Sequence, residues 1–467
     1  MTRQYAAVIS LGCAKNLVDS ETMIPRLMRL GYSMTSEPSE ADLIVVNTCG
    51  FLQSAVEEAI ETILELAGNK VSGRCRHLVV TGCMVQRYGR KLPPLLPEVD
   101  LFLGTSHYHR IDEALPALNS PNSTNLYLSR PTHIAGSSEP RVRATPFFSA
   151  YVKIAEGCCN SCSFCLIPRL RGAYRSRTVE DVLAEVRMLS EEGVKEINLI
   201  AQDVTAFGTD RGDTGSLVRL LELIEDVHGI QWVRILYAYP DRIEDTLLRT
   251  MAHSSKIVPY LDIPVQHSVP AMLQAMGRRA GAFEVEERIE GIRSFIPGIA
   301  LRTSLMVGFP GETESDFRQL LDFAARVRFD HAGVFVFSPE AGTRAARLPS
   351  RVPAETAEER RHILMDLQRS ISRRRLREKV GSVIPVLIEG THPETELLLV
   401  GRSAFQAPEV DGTVIITGGT GNVGEIVPAR ITSSHDYDLE AELISPGVDA
   451  SRIDEDPHAD GRSSKTF

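Results

Sequence analysis

The first hundred residues alternate short apolar runs with longer stretches in which apolar positions recur at helical spacing. The apolar runs, rich in Val and Ile, are YAAVISLGC, ADLIVVNTC and HLVVTGC, and the helical stretches between them are LVDSETMIPRLMRLGY and SAVEEAIETILELAG. Strands that alternate with helices form a parallel sheet whose faces are covered by the helices. Residues 1–118 are therefore predicted to form an α/β domain built on a parallel sheet.

A second and longer alternation follows a segment without periodicity. Residues 119–146 are rich in Pro, Ser, Thr and Asn, which predicts a linker. Residues 147–376 contain six candidate strands separated by helical stretches: FSAYVKIAEG, EINLIAQD, WVRILYAYP, YLDIPVQ, ALRTSLMVGF and HAGVFVFSP. Repeated βα units are typical of a TIM-type barrel, but six strands instead of eight predict an incomplete (βα)6 barrel. Its opening could admit a large substrate.

The chain changes character after a basic helical stretch, AEERRHILMDLQRSISRRRLREKV. Residues 378–444 contain short β-rich runs separated by glycine, with no helical period, which predicts a small antiparallel β-barrel. Residues 445–467 have almost no apolar content and are predicted to form a disordered tail. The predicted class is α/β throughout the first two domains.

Length and composition narrow the functional classes. At 467 residues, the chain has room for about three domains. No apolar run reaches the roughly 20 residues that span a bilayer, and the start, MTRQYAAVISLGC, lacks a signal peptide's apolar core. We therefore expect a cytoplasmic protein without a membrane partner. In that compartment thiols stay reduced, so eight cysteines indicate metal or catalytic chemistry.

Four of the cysteines are dispersed along the predicted parallel sheet. Cys13, Cys49 and Cys83 each end a strand-like run, whereas Cys75 precedes its strand. Ligands of open parallel sheets bind outside the carboxyl ends of the strands, so the first three should meet at one edge. Cys75 should lie at the opposite edge and is interpreted as a buried structural thiol.

The other four cysteines lie within EGCCNSCSFCLIPRLRG, directly after the first predicted barrel strand. Cys158, Cys162 and Cys165 have the spacing CxxxCxxC, and three thiolates from one loop can hold a cubane iron-sulfur cluster whose fourth iron stays open. Cys159 with Cys162 makes a CxxC pair, which leaves zinc as an alternative, although no second pair or histidine follows nearby. By spacing alone, Cys159 remains ambiguous.

This cysteine loop resembles the signature of radical S-adenosylmethionine (SAM) enzymes. The resemblance implies that Cys158, Cys162 and Cys165 bind a 4Fe-4S cluster whose open iron chelates SAM, and that Cys159 is a bystander. It also implies that Phe164 lies near the adenine, although core packing would use the same residue. LMVGFPGET, with Gly308 and Gly311, is similar to the strand end that flanks the cofactor in this superfamily, although a plain turn would also use these glycines.

The motifs around Cys13, Cys49 and Cys83 indicate one family within this superfamily. Three stretches around the dispersed cysteines resemble the N-terminal domain of the methylthiotransferases: SLGCAKNLVDSE, VVNTCGFLQSAVEEAIE and VTGCMVQRYG. This resemblance implies a second 4Fe-4S cluster on Cys13, Cys49 and Cys83. The β-rich terminal segment resembles the TRAM domain of these enzymes. One branch modifies an adenosine of transfer RNA, and the other modifies an aspartate of the twelfth small-subunit ribosomal protein.

The motif flanks favour the ribosomal-protein branch. Four stretches of the chain resemble that branch: GCAKN, NTCGF, YLDIPVQHSVPAMLQAMGRR and GRSAFQAPEVDGTV. The transfer-RNA branch, by contrast, typically follows its first cysteine with Gln-Met-Asn. Between Gly381 and Leu443 there are ten acidic residues against two arginines, a balance of −8, which should repel phosphates. These acids could instead simply solvate the surface, and the basic helix before them could meet ribosomal RNA or pack on the barrel.

The resemblance implies replacement of a C–H bond on the aspartate's β-carbon by a methylthio group. The cofactors would be two 4Fe-4S clusters and SAM, with a flavodoxin or ferredoxin as the reductant. A monomer is expected. Two alternatives remain: a transfer-RNA adenosine methylthiotransferase, and a non-enzymatic iron-sulfur electron carrier or RNA-binding adaptor, which would not cleave SAM.

Overall fold

A computed structural model describes residues 3–118, 124–278 and 282–444 of the 467-residue chain. The described chain divides into two compact units with a boundary between residues 372 and 373, and they are treated separately below. The first unit contains both the predicted parallel-sheet domain and the predicted barrel. The predicted tail, 445–467, lies outside the described residues.

The first part of unit one is a six-stranded sheet in which every pair of neighbours is parallel, in the order β2-β1-β3-β4-β5-β6. Its strands are Gln4–Ser10 (β1), Tyr32–Met34 (β2), Leu43–Thr48 (β3), His77–Gly82 (β4), Leu101–Leu103 (β5) and Leu126–Tyr127 (β6). Its helices are Ala14–Arg29 (α1), Gln53–Ala67 (α2), Asn69–Ser72 (α3), Cys83–Tyr88 (α4) and Ile111–Ala117 (α5).

Two features of this sheet reflect its buried position. All six residues of β3 are buried, as expected for a central parallel strand covered by helices on both faces. Leu126 and Tyr127 pair with Phe102 and Leu103, so part of the segment predicted to be a linker is the sixth strand of the sheet. Two residues are too few to give a periodic signal, because a strand pattern needs at least about four positions.

The second part of unit one is an open sheet of six parallel strands in the order β14-β13-β12-β11-β10-β7. Its strands are Ser149–Lys153 (β7), Glu196–Ile200 (β10), Trp232–Ile235 (β11), Ile257–Asp262 (β12), Ala300–Val307 (β13) and His331–Val336 (β14). Ala155–Glu156 (β8) and Arg175–Ser176 (β9) form a separate two-stranded ladder. In the described chain the edge strands β7 and β14 do not pair with each other, so the barrel is incomplete, as predicted.

Helices connect these strands. They are Ile167–Leu170 (α6), Val179–Glu191 (α7), Ser216–Glu225 (α8), Asp245–His253 (α9), Pro270–Ala275 (α10), Ala282–Phe295 (α11), Glu314–Val327 (α12) and Ala354–Arg377 (α13), the last of which runs past the unit boundary. Local sequence sets their starts: the Thr178 side chain accepts from the Asp181 N–H, and Thr313 with Asp316 forms a reciprocal capping box. No helix in the described ranges has the length and apolar content to cross a membrane.

Unit two is a closed five-stranded barrel in the order β15-β16-β17-β19-β18, in which β18 returns to pair with β15. Its strands are Val383–His392 (β15), Thr395–Ser403 (β16), Val414–Gly418 (β17), Ile426–Ser434 (β18) and Leu439–Leu443 (β19). One pair, β17 with β19, is parallel, so the barrel is not antiparallel throughout as the sequence analysis expected. The buried core includes Val386, Ile388, Val414 and Ile431.

Candidate metal centres

The dispersed cysteines follow three adjacent strands of the first sheet. Cys13 caps the N-terminus of α1 three residues beyond β1, Cys49 follows β3, and Cys83 opens α4 directly after β4. Because β1, β3 and β4 are parallel neighbours, their carboxyl ends lie at one edge, as the strand pattern predicted. Cys75 precedes β4 and is buried in the apolar core.

Glycines beside these cysteines show how closely the three loops approach. Gly12 has a φ of +99°, and a Cβ on it would lie 2.8 Å from the Cβ of Cys49. A Cβ on Gly50 would lie 2.6 Å from the backbone carbonyl carbon of Cys83. Any larger residue would push the loops apart. These glycines therefore hold the segments that carry Cys13, Cys49 and Cys83 together.

Two of these cysteines, Cys49 and Cys83, lie where burial disfavours a free thiolate. Burial raises the pKa of Cys83 to about 12, and the nearby Arg171 opposes that rise. Burial also raises the pKa of Cys49. Arg171 donates from Nε to the Cys83 Sγ over 3.2 Å. Metal ligation deprotonates cysteines, and a buried guanidinium beside the sulfur favours the resulting negative charge.

The clustered cysteines lie in the loop after β8, at the carboxyl face of the barrel sheet. Backbone N–H groups point at two of the sulfurs, from Asn160 to Cys158 Sγ at 3.3 Å and from Ile167 to Cys165 Sγ at 3.4 Å. Burial raises the pKa of Cys158 to about 11 and that of Cys165 to about 12, and these N–H groups oppose both rises. Cys162 is half-buried.

Cys159 is separated from this set by its environment. It is exposed, and its Sγ accepts a hydrogen bond from the Tyr174 N–H over 3.4 Å. By contrast, the Arg278 Nη1 donates to the Cys162 Sγ over 3.9 Å. The trio Cys158, Cys162 and Cys165 stays a prediction, and these contacts support it.

Both trios suit a cluster better than a single ion. Among residues 3–118, 124–278 and 282–444, no three His, Cys, Asp or Glu side chains approach closely enough to surround one metal ion. A single zinc ion needs all its sulfurs within about 2.3 Å of itself. Each cysteine of a cubane binds a different iron, so that proximity is not required. The all-thiol donor sets and their N–H and guanidinium partners fit iron-sulfur clusters.

The predicted SAM contacts have structural roles of their own. Phe164 packs against an apolar cluster that includes Phe309 and Met276. Gly308 has a φ of +73°, and a Cβ on it would lie 2.5 Å from the Cβ of Ala357, so α13 excludes a side chain there. Gly311 has a φ of +87°, with open space around it. Packing and turn geometry explain the first two residues without a cofactor, and their predicted roles toward SAM stay predictions.

A buried ionic network that the sequence analysis missed joins the two cysteine regions. Lys153 of β7 pairs with Asp19 of α1 and, at 2.7 Å, with Glu156. Arg171 pairs with Asp19 at 2.6 Å and with Glu156 at 3.3 Å. All four side chains are at most 4% exposed. The only signal in the sequence was charge inside apolar stretches: Lys153 within a barrel strand and Asp19 within a helix that packs on a sheet.

Apolar packing continues this connection. Leu166, the residue after Cys165, packs with Leu170 against Cys83 and Phe51. In addition, the Cys158 N–H donates to the Gly172 carbonyl over 3.1 Å, directly beside Arg171. Cys83 and the loop that carries the clustered cysteines therefore contact each other between the two sheets of unit one, whereas Cys13 is exposed.

Three models of known protein families match separate parts of the chain. A family model described as uncharacterized protein family UPF0004 matches residues 5–104, the radical SAM superfamily matches residues 152–324, and the TRAM domain matches residues 380–444. The first match contains the dispersed trio and the second contains the clustered trio.

Curated relatives match over nearly their full length. A protein of Syntrophobacter fumaroxidans, named ribosomal protein uS12 methylthiotransferase RimO, is 59% identical over 95% of this chain and 100% of its own. A protein of the same name from Geobacter sulfurreducens is 48% identical over 95% of this chain and 99% of its own.

A solved structure shares the fold. The radical SAM methyltransferase TsrM from Kitasatospora setae, with cobalamin and a [4Fe-4S] cluster bound, superposes with a TM-score of 0.54 over 74% of this chain and 77% of its own. Its sequence is 14% identical, so the likeness concerns the fold alone.

Proposed function

This chain belongs to the family of ribosomal protein uS12 methylthiotransferases named RimO, and on that premise we propose that it inserts a methylthio group at the β-carbon of an aspartate in uS12. The observation that carries the proposal is the presence of two separate all-thiol sets in one unit, connected by Arg171 and by the packing of Leu166 against Cys83. Such a reaction needs a radical source and a sulfur source, and two separate sites match two separate tasks.

The cofactors supply the chemistry that side chains lack. When bound, SAM and a cluster on Cys158, Cys162 and Cys165 supply a radical that removes hydrogen from carbon, and a cluster on Cys13, Cys49 and Cys83 supplies the methylthio group. The protein contributes position and the exclusion of water. Leu166 and Leu170 close the interface beside Cys83.

Arg171 has a central part in this arrangement. Its guanidinium donates to the Cys83 Sγ, would balance the negative charge that metal ligation gives this sulfur, and is itself held by Asp19 and Glu156. Burial opposes the charged form of Arg171, but Cys83 and Asp19 outweigh that effect and raise its pKa. The arginine therefore stays charged at any working pH. It links the helix that follows Cys13 to the loop that carries the clustered cysteines.

The terminal barrel suits a basic protein substrate. Its described residues include ten carboxylates and two arginines, and one of those arginines, Arg402, is 2% exposed and bound to Glu389. An acidic surface attracts basic ribosomal proteins and speeds their association. We propose that this unit helps recruit uS12, either free or within the ribosome.

Further partners follow from the same proposal. The radical step needs a low-potential electron donor, for which a flavodoxin or ferredoxin is proposed. The enzyme is proposed to act as a monomer in the cytoplasm, where ribosomes and reduced thiols are both found.

The test is an anaerobic assay of the cluster-reconstituted protein with SAM, dithionite and sulfide. Purified uS12 and unmodified transfer RNA are offered in parallel, and mass spectrometry follows both. A methylthio increment on the uS12 aspartate supports the proposal. An increment on transfer RNA alone would overturn the substrate but retain the two-site chemistry. Failure of the reduced protein to cleave SAM would point to an electron carrier or adaptor.

A further inference from the structure

Lys15 is a buried cation in an unusual environment. It lies two residues after Cys13, is 7% exposed, and its ammonium sits 3.2 Å from the centre of the Tyr237 ring. Tyr237 follows β11 of the barrel sheet, whereas Lys15 belongs to α1 of the first sheet. The pair therefore spans the interface between the two sheets of unit one.

Every other buried cation of the described chain has a carboxylate partner. In that part of the molecule six further Lys or Arg residues are less than 9% exposed, and each forms an ion pair: Lys153, Arg171, Arg177, Arg234, Arg360 and Arg402. Within the same ranges no carboxylate lies within 4 Å of the Lys15 ammonium, which has only an aromatic face. A buried charge is costly unless an opposite charge compensates it.

Tyr237 shows a second sign of a prepared site. Its φ is +66°, in the left-handed region that non-glycine residues rarely adopt. The surrounding structure holds this conformation, since the Tyr237 carbonyl accepts from the Val204 N–H over 3.1 Å. Strained backbone of this kind concentrates at binding and catalytic sites. The strain places the ring under the Lys15 ammonium.

Tyr237 is also tied to the clustered cysteines. Val204 adjoins Asp203, whose carboxylate accepts from the Asn160 side chain over 2.9 Å. The Asn160 backbone N–H in turn donates to Cys158 Sγ. Lys15 is thus fixed beside Cys13 on one side and beside the loop of Cys158 on the other. The Lys15 ammonium is therefore connected to both cysteine regions, by chain adjacency to Cys13 and through Tyr237 to the loop of Cys158.

We propose that Lys15 binds the side-chain carboxylate of the target aspartate and so selects an acidic residue for modification, with Tyr237 as the positioning residue. This inference rests on the proposed function. The aromatic ring holds the cation by a cation–π contact, which is weaker than an ion pair. An incoming carboxylate can therefore supply the missing counter-charge without displacing an internal acid. The aspartate's β-carbon, adjacent to that carboxylate, would then be fixed relative to both cysteine trios.

The test measures the preference of the enzyme for aspartate over asparagine. The cluster-reconstituted protein is titrated anaerobically with uS12 and with uS12 in which the target aspartate is replaced by asparagine. The wild type should bind the aspartate form about 10- to 100-fold more tightly. Lys15→Met, similar in length but uncharged, should bind both forms within about twofold, and Lys15→Arg should keep most of the preference.

Lys256→Met is the matched control. Lys256 is half-buried before β12, at the opposite end of the barrel strands, and donates to the Val227 carbonyl over 2.7 Å. It should keep the wild-type preference. Iron content and SAM cleavage should remain at wild-type levels in Lys15→Met, because the proposed role concerns the substrate.

Two results would overturn the inference: a wild type without the preference, or a Lys15→Met protein that retains it. Loss of iron or of SAM cleavage in Lys15→Met would assign the lysine to a cluster instead. Failure of the proposed function would look different, because the wild type itself would then add no methylthio group to uS12.

Discussion

The two cysteine trios are built in opposite ways. Cys158, Cys162 and Cys165 lie within eight positions of one loop, and backbone N–H groups of that loop contact their sulfurs. Cys13, Cys49 and Cys83 come from three strand ends and meet only when the sheet forms. The first site is held largely by local structure, whereas the second depends on tertiary packing.

This difference determines how each site responds to changes elsewhere. The strand-end trio relies on glycine contacts between loops and on Arg171, which reaches it from the other cysteine region. The trio Cys158, Cys162 and Cys165 depends less on contacts with residues far away in the sequence. Substitutions at the interface should therefore lower iron binding at the dispersed trio more than at the clustered trio.

The largest expected effect separates the two sites by function. Replacing Cys158, Cys162 and Cys165 with alanine should abolish SAM cleavage and hence all product. Replacing Cys13, Cys49 and Cys83 should leave SAM cleavage measurable and abolish methylthio transfer. Iron content should fall by about half in each variant, since each cubane holds four irons. Alanine at Cys75, which is buried away from the strand ends, is the control and should preserve both activities.

The next prediction concerns Arg171. Arg171→Met leaves the carboxylates of Asp19 and Glu156 buried with Lys153 as the remaining cation beside them. Removing one member of a buried ion pair typically costs about 3–5 kcal/mol in the free energy of unfolding, which urea denaturation of the metal-free protein would measure. Iron should be lost from the dispersed site in preference to the clustered one. Equal loss of iron from both trios would contradict the proposal that only the dispersed trio depends on Arg171.

An exposed ion pair supplies the control for that measurement. Arg326 and Glu286 form a surface pair at 2.9 Å with the arginine 58% exposed. Arg326→Ala should lower the free energy of unfolding by less than about 1 kcal/mol.

Sequence reasoning found the features that repeat or cluster along the chain. Three cysteines at strand ends, the CxxxCxxC loop and six βα units all leave local patterns. The six strands of the barrel sheet lie where those patterns placed them, as do β1, β3 and β4 of the first sheet, whereas β2, β5 and β6 were not predicted. The parallel β17 and β19 pair was missed because pairing direction depends on tertiary connections, which short apolar runs do not encode.

Long-range partners were missed for the same reason. Asp19 and Arg171 are 152 positions apart in the sequence, and Lys15 and Tyr237 are farther apart still. A charged residue inside an apolar pattern signals a buried partner but does not identify it.

A pH effect should also act on the interface that supports the dispersed trio. His109 and His133 stack with ring centres 3.7 Å apart, and burial lowers the pKa of each from 6.5 to about 4. The unfolded chain takes up protons below pH 6.5, while the folded protein does so only near pH 4. The free energy of unfolding should therefore fall between these values, by on the order of 2 kcal/mol per histidine.

Comparison of urea midpoints at pH 7 and pH 4.5 checks this expectation. His133→Phe keeps an aromatic ring against His109 but has no titrating group, so its stability should fall less on acidification than that of the wild type. The carboxylates titrate equally in the wild type and in His133→Phe, so they do not contribute to the difference between the two proteins. If the free energy of unfolding falls equally in the two proteins, His133 does not contribute to the pH dependence.

The smallest effect tests how local the clustered site is. Gly311 and Gly193 have φ values of +87° and +89° with open space around both, so alanine at either position should cost about 1 kcal/mol through backbone strain alone. If Gly311 flanks the cofactor, as its sequence context predicts, Gly311→Ala should also raise the KM for SAM, while Gly193→Ala should leave it unchanged. Equal KM values in the two variants would confine Gly311 to the turn and leave SAM recognition closer to the cysteine loop itself.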